Sequence, residues 1–247
     1  MSADDHNSRI LIAGLGGLGV PAATVLIRAG FDRLTLIDPD TVELSNLPRQ
    51  VLFGASDIGA PKAVAAARRL GELRSGAAPI AGDAIEAHVA PLDHSNAAEL
   101  IGAAAFVIDA TDDPVTKFLI NDVCVALRRP FVYGGVLGLA GQTMTVIPGV
   151  TACLRCLFEE PPGPDDAANC REAGIIGPVA GAIGAAQASE AMCLLGGRRP
   201  ALAGTILTLD GSLTGRIRLT HIAPRAGCGC GAASINAEAG AIAPPAR

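Results

Sequence analysis

The apolar run Ile10-Leu11-Ile12-Ala13 empties into the turn Gly14-Leu15-Gly16-Gly17-Leu18-Gly19 and re-emerges as a helical stretch from Gly17 to Ala29. Glycine lets a backbone turn tightly and come close to a ligand or a neighbouring element. A strand, a glycine turn and a helix in that order open a doubly wound α/β fold. A second strand, Arg33 to Ile37, then delivers Asp38 at its carboxyl end. Gly14-x-Gly16-x-x-Gly19 with an acid nineteen residues on also fits a dinucleotide fingerprint, in which the acid holds a ribose hydroxyl and the helix N-terminus a pyrophosphate. Over this stretch an NAD-type and an ATP-type reading stand level.

The residues that follow separate the two. Ser45-Asn46-Leu47-Pro48-Arg49-Gln50 comes next, then Lys62 near the start of a helix from Pro61 to Arg74, with Pro in the first turn where its missing N–H costs nothing. Backbone N–H groups satisfy a dinucleotide pyrophosphate, so it needs neither cation. A triphosphate about to lose pyrophosphate needs both: Arg49 forks onto two phosphate oxygens and Lys62 supplies a point charge. The alternative is that both are solvated helix-face cations. Ala104 to Ile108 reads as a fully buried strand that ends at Asp109-Ala110-Thr111-Asp112, before a helix from Pro114 to Arg128. An acid at that edge repels phosphates unless a cation intervenes, which points to Mg²⁺ on Asp112. Helix capping is the competing use of these acids, and Asp113 before Pro114 fits the cap best.

Farther on, Pro130 to Tyr133 reads as a strand closed by Gly134-Gly135, and Gln142 to Ile147 as another. Glu159 to Arg171 is rich in Pro, Asp and Asn and reads as a flexible loop. A helix from about Pro178 to Leu195 follows. The alternating runs Ala203 to Leu209 and Arg216 to Ile222 read as a closing antiparallel pair around Asp210-Gly211. The apolar stretch Ala173 to Ala186, with Gly177-x-x-x-Gly181, stops short of the ~20 residues of a membrane span, so it reads as a buried, closely packed helix. The expected domain is residues 1–231, with 232–247 a disordered tail.

Half of the residues are hydrophobic and only 3% aromatic, so the core is built from Ala, Val, Leu and Ile, as suits a buried parallel sheet. A net charge of -5, with no Lys/Arg run, argues against a nucleic-acid partner. The polar start, Met1 to Arg9, lacks a leader layout, and the expected compartment is the cytoplasm. Of the seven cysteines, the pairs Cys153/Cys156 and Cys228/Cys230 suggest a metal in a reducing compartment. Cys124 and Cys193, on expected helices, read as core.

Taken together, Gly-x-Gly-Gly-Leu-Gly, Asp-x-Asp-Thr-Val-x-x-Ser-Asn-Leu-x-Arg-Gln, Pro-Lys, Ala-Thr-Asp, Cys-Leu-Arg-Cys-Leu-Phe and Cys170-x-x-Ala-Gly-x-x-Gly resemble the ThiF/MoeB/HesA family of ubiquitin-activating-enzyme-like adenylyltransferases, from about Ser8 to Gly231. The resemblance implies a Rossmann-like, mostly parallel sheet extended by C-terminal antiparallel strands. It implies an ATP site of Gly14, Gly16, Gly17, Asp38 (ribose), Asp40, Asn46, Arg49, Gln50, Lys62 and Asp112 (Mg²⁺), with Arg49, Lys62 and Asp112 serving catalysis. It also implies a structural Zn²⁺ on Cys153, Cys156, Cys228 and Cys230, although the family usually has two residues between the last two cysteines and this chain has one. Cys170 matches a cysteine that in ThiF-like members joins covalently to the sulfur carrier.

The implied reaction is adenylation of the C-terminal Gly-Gly carboxylate of a small ubiquitin-like sulfur carrier, of ThiS or MoaD type, by a homodimer with no membrane association. Relatives carry an N-terminal helical Arg that reaches the partner subunit's ATP. Here Arg9 sits at the strand edge, and that role is unassigned. The rival expectations are an adenylating enzyme for a peptide or tRNA, and a nucleotide-binding scaffold without turnover. The acidic balance and the four cysteines argue against tRNA.

Overall fold

The computed structural model describes residues 8–73, 84–161, 175–212 and 215–231. Four short apolar strands form its centre: β1 (Ile10–Ala13), β2 (Leu34–Ile37), β4 (Phe106–Asp109) and β5 (Phe131–Leu137), with β3 (Ile85–His88) at one edge. These five pair in parallel in the order β3-β2-β1-β4-β5, and β6 (Ala140–Val146), β7 (Thr205–Asp210) and β8 (Ile217–His221) continue the same sheet antiparallel. This is the expected Rossmann-like sheet with an antiparallel extension. The strand order reverses at β1, whose neighbours are β2 and β4, so the loops leaving β1 and β4 diverge and open a crevice at the carboxyl edge.

Side chains alternate across each strand, and both faces are covered. Ile10, Ile12, Leu34, Leu36, Phe106 and Ile108 pack with helices α1 (Gly19–Arg28), α2 (Lys62–Leu73) and α6 (Gly177–Leu195). Leu11, Ala13, Ile37, Val107 and Phe131 face α3 (Ala97–Ala103) and α4 (Pro114–Ala126). A one-turn helix, α5 (Leu154–Leu157), sits against α4. Burial on both sides explains why β1, β2 and β4 read as continuous apolar runs.

Three expectations need correction, and two elements carry no expectation at all. β5 does not close at Gly134-Gly135 but runs through both to Leu137. A Cβ on Gly134 would lie 2.5 Å from the Gln187 amide nitrogen of α6, so that glycine admits a neighbouring side chain instead of ending the strand. The tight approach on α6 falls at Gly184, where a Cβ would meet the Leu18 carbonyl at 2.2 Å; Gly181 faces open space. Cys124 is core, but Cys193 is only half-buried and its thiol reaches the Arg199 carbonyl. Finally, β3 and α3 have no clear sequence signature: Ile-Glu-Ala-His is a half-exposed edge strand without a buried run, and α3 has seven residues. No helix among the described residues is long and apolar enough to cross a membrane. The expected tail, 232–247, lies outside the described residues.

Candidate functional site

Adjacent strands β2, β1 and β4 bring the glycine turn, Asp38 and Asp112 to one edge of the sheet. Gly14 holds φ +89°, and a Cβ there would press to 2.6 Å from the Ala110 carbonyl after β4. This locks the first turn against the loop that carries Asp112. Gly16, by contrast, has only the Gln50 amide within 4 Å of such a Cβ, at 3.9 Å, so its backbone is open to a ligand. Asp38 is buried at the end of β2 and accepts from the N–H groups of Leu15 (2.6 Å) and Asp40 (2.8 Å). Burial pushes its carboxyl above the ordinary value, and the Leu15 N–H and the Lys62 charge oppose that shift. A carboxylate with one donor on each oxygen still has lone pairs for a sugar hydroxyl.

Lys62 opens α2 and is buried; its Nζ lies 2.7 Å from Asp40 Oδ2, and its backbone N–H donates to the Asp40 carbonyl at 2.8 Å. Asp40 thus holds both the helix start and the ammonium. Asn46 and Gln50 are buried in the segment that follows, while Arg49 donates through Nη1 to the Ser45 carbonyl at 2.8 Å. Two buried polar atoms here have no partner, the donor Nε of Arg49 and the acceptor Oε1 of Gln50. Each such group costs about 1–3 kcal/mol, and a polar ligand at this edge would relieve them. A Cβ on Gly177 of α6 would lie 3.4 Å from the Arg49 Cβ, so the start of α6 packs close to Arg49.

The three acids after β4 divide as their chain positions suggest. Asp113 caps α4, accepting from the Thr116 N–H at 2.8 Å. Asp112 is exposed at the edge. Asp109 is fully buried and accepts from the N–H and hydroxyl of Thr111 and from Lys117 Nζ, the last at 3.2 Å to both oxygens. Lys117 also donates to the Gly134 carbonyl at 2.5 Å and lies 5.1 Å over the Tyr133 ring. Burial pushes the Tyr133 phenol up to about 12. Sequence reasoning missed Lys117; its signal was a cation one turn into a helix that begins beside a buried strand end. Arg9, at the opposite edge, pairs with Glu86 at 3.0 Å. Cys170 lies outside the described residues.

The second cluster stands at the far end of α4. The Sγ atoms of Cys153, Cys156, Cys228 and Cys230 lie within 4.8 Å of one another, with Cys153–Cys228 and Cys156–Cys230 at 3.6 Å and Cys153–Cys156 at 4.0 Å. Zn–S bonds of about 2.3 Å place tetrahedral sulfurs about 3.8 Å apart, so the set fits a metal ion despite the one-residue spacing before Cys230. Burial, then the charge on Cys156, pushes the Cys153 thiol up, so the four would ionise together only around a cation. The Arg225 N–H donates to Cys156 Sγ at 3.3 Å, and the Leu154 N–H to Asn121 Oδ1 of α4 at 2.8 Å.

A doubly wound α/β chain with a phosphate-type edge and a closed four-cysteine cluster is the class these features define. The ThiF family model matches residues 4–230, and the chain belongs to that family. The adenylyltransferase and sulfurtransferase MOCS3 of Drosophila ananassae is 41% identical over 206 residues, which are 83% of this chain and 44% of that protein. MOCS3 of Anopheles gambiae is 40% identical over 202 residues, 82% and 44%. The chain spans under half the length of these relatives. Escherichia coli MccB, crystallised with ATP, superposes with a TM-score of 0.78 at 22% identity, over 92% of this chain and 67% of that one; at that identity the likeness is one of fold.

Proposed function

We propose that the chain is an ATP-dependent adenylyltransferase that activates the C-terminal Gly-Gly carboxylate of a small ubiquitin-like sulfur carrier, of ThiS or MoaD type, for thiamine, molybdopterin or related sulfur transfer. The observation that carries the reading is the buried Lys62 acting on the buried Asp38, the open Gly16 backbone next to Gln50, and the unpartnered buried atoms Arg49 Nε and Gln50 Oε1. Family membership and the MOCS3 relatives point the same way.

In this reading a carrier carboxylate oxygen attacks the α-phosphorus of ATP, the bond to the bridging oxygen of the β-phosphate breaks, and pyrophosphate leaves with that electron pair. The obstacle is one anion approaching another. At 4 Å and an effective dielectric of ~20, a unit charge pair is worth about 4 kcal/mol, so Arg49 and Lys62 aimed at the phosphates offset the repulsion. Lys62 can exchange its exposed partner Asp40 for a phosphate. Asp38 holds the ribose, Asn46 and Gln50 orient the nucleotide, and the Gly14, Gly16 and Gly17 backbone receives the phosphates. Mg²⁺, held by Asp112, would neutralise phosphate charge. Zn²⁺, held by Cys153, Cys156, Cys228 and Cys230, would staple the C-terminal strands without an open coordination position. Cys170 is assigned to a later covalent step with the carrier. The protein is proposed to act as a cytoplasmic homodimer.

Titration calorimetry with MgATP and with NAD, followed by carrier-dependent ATP–pyrophosphate exchange, tests this function. ATP binding and exchange with a ThiS- or MoaD-like carrier are expected. Micromolar NAD binding without ATP binding overturns the nucleotide assignment. ATP binding with no exchange for either carrier type overturns the carrier assignment and favours another acyl donor or a scaffold.

A further inference from the structure

We infer that Lys117 and Asn121 are positioning residues through which α4 ties the four-cysteine cluster to the carboxylate turn at Asp112, so that metal at one end and MgATP at the other strengthen each other. The inference rests on the proposed function for both sites. The two residues lie four apart, on one face of α4 and about 6 Å along its axis.

At the N-terminal end, Lys117 and the Thr111 groups converge on the buried Asp109 carboxylate, which fixes the Ala110–Thr111 turn from which Asp112 emerges. Asp113 then caps the same helix. One turn later Asn121, 1% exposed, accepts the N–H of Leu154, the residue after Cys153. Asp122 next to it takes the Arg155 guanidinium at 2.7 and 2.8 Å, and that guanidinium also lies 5.0 Å over Phe118 of α4. Every residue between Cys153 and Cys156 in the first half of the cluster is therefore on α5 or held to α4.

A metal ion that closes the Cys153–Cys156 bite aims the Leu154 N–H at Asn121. With the bite open, the buried Asn121 Oδ1 loses the Leu154 N–H while its Nδ2 keeps Asp122, and α4 loses the anchor nearest to Lys117. Nucleotide favours the same closed arrangement through Asp112. Two ligands that select one arrangement are coupled, and the factor is the same in both directions.

The test uses the full chain, zinc-loaded or stripped by a chelator, which reaches the cysteines through the open depression lined by Asn121, Arg155 and Cys228. A non-hydrolysable ATP analogue with Mg²⁺ is titrated by calorimetry, and zinc release to a coloured chelator is followed with and without it. The expected result is about tenfold weaker nucleotide binding without zinc, within the usual range for coupled sites, and a matching rise in zinc affinity when nucleotide is bound. Asn121→Ala keeps all four thiols; in its zinc-loaded form nucleotide should again bind about tenfold more weakly, and Asn121→Ala decides the matter if the stripped chain unfolds. Equal nucleotide affinity, within twofold, in the loaded wild type and loaded Asn121→Ala overturns the inference. A wild type that holds zinc but no nucleotide, or nucleotide but no zinc, overturns it together with that half of the proposed function, and is distinct from two ligands that bind independently.

Discussion

The two halves of the sheet are held by different means. In the parallel half, every residue of β1, β2 and β4 is buried between two helical layers. At the opposite end, every residue of β8 is exposed, Ile217 at 65% and Leu219 at 62% among them. Burying such a side chain contributes about 1.5–3 kcal/mol, and β8 gains little of it. Its ties are the backbone ladder to β7 and, shortly after its end, Cys228 and Cys230 against Cys153 and Cys156. The proposed metal cross-link would stand where apolar burial runs out, while the proposed nucleotide edge is built on the half that burial holds on both faces.

Removing the cross-link is the strongest way to break this comparison. Structural zinc contributes on the order of 10 kcal/mol in small sites, so Cys153→Ser should lower metal content and melting temperature together. Hydrogen exchange should quicken across β7 and β8 while the amides of β1 and β4 stay protected. A variant without metal and with an unchanged melting temperature would show that the antiparallel half needs no staple.

The converse change targets chemistry on the rigid half. Lys62→Ala and Arg49→Ala each remove one aimed charge, worth about 3–4 kcal/mol or ~10²- to 10³-fold in pyrophosphate exchange. Their melting temperatures should stay near that of the wild type. Near-normal exchange in both would sink the phosphate assignment.

Packing in the parallel half is sharpened by two alanines three residues apart. Gly184→Ala puts a methyl 2.2 Å from the Leu18 carbonyl and should cost about 1–3 kcal/mol in denaturant unfolding. Gly181→Ala, facing open space, should be neutral or slightly stabilising. Equal effects at both positions would mean that α1 and α6 are not in register as described.

The smallest expected effect is one of pH. Asp57 is buried in the turn before α2; burial alone would raise its carboxyl, but the Gly54 N–H and the Arg69 guanidinium hold it below the ordinary value of 3.8. The unfolded chain therefore takes up this proton first as pH falls. The stability from Asp57 is full above the ordinary value and is lost as pH drops through the lower folded one. Asp57→Asn should flatten the fall in urea midpoint over that acid range, and an unchanged slope would assign the acid sensitivity elsewhere.

Much of this was legible in the chain. β1, the glycine turn and α1 announced themselves because an apolar run, a flexible turn and a helix are local properties. Asp113 before Pro114 was readable as a cap for the same reason, and Lys62 as a helix start. β3 was not, because an edge strand with Glu86 and His88 has no buried face to write into the sequence. Gly134-Gly135 read as a strand end because glycine's local preference is to break strands, and only the Gln187 side chain crossing from α6 explains their place inside one.

The sequence by itself marked the candidate edge, through the order of glycines, Asp38 and Asp112, since strand ends adjacent in a parallel sheet collect side chains that are far apart in the chain, with Arg49 and Lys62 in the segment after β2. It also marked the two cysteine pairs. Only the tertiary structure decided that Cys230 joins them despite the short bite, because sulfur-to-sulfur distance depends on how the chain folds back after β8. The tertiary structure alone likewise decided that Asp109 is a buried clamp held by Lys117 while Asp112 faces outward. The three acids are alike in composition and differ only in what packs around them, and burial is a property of neighbours that no single residue carries.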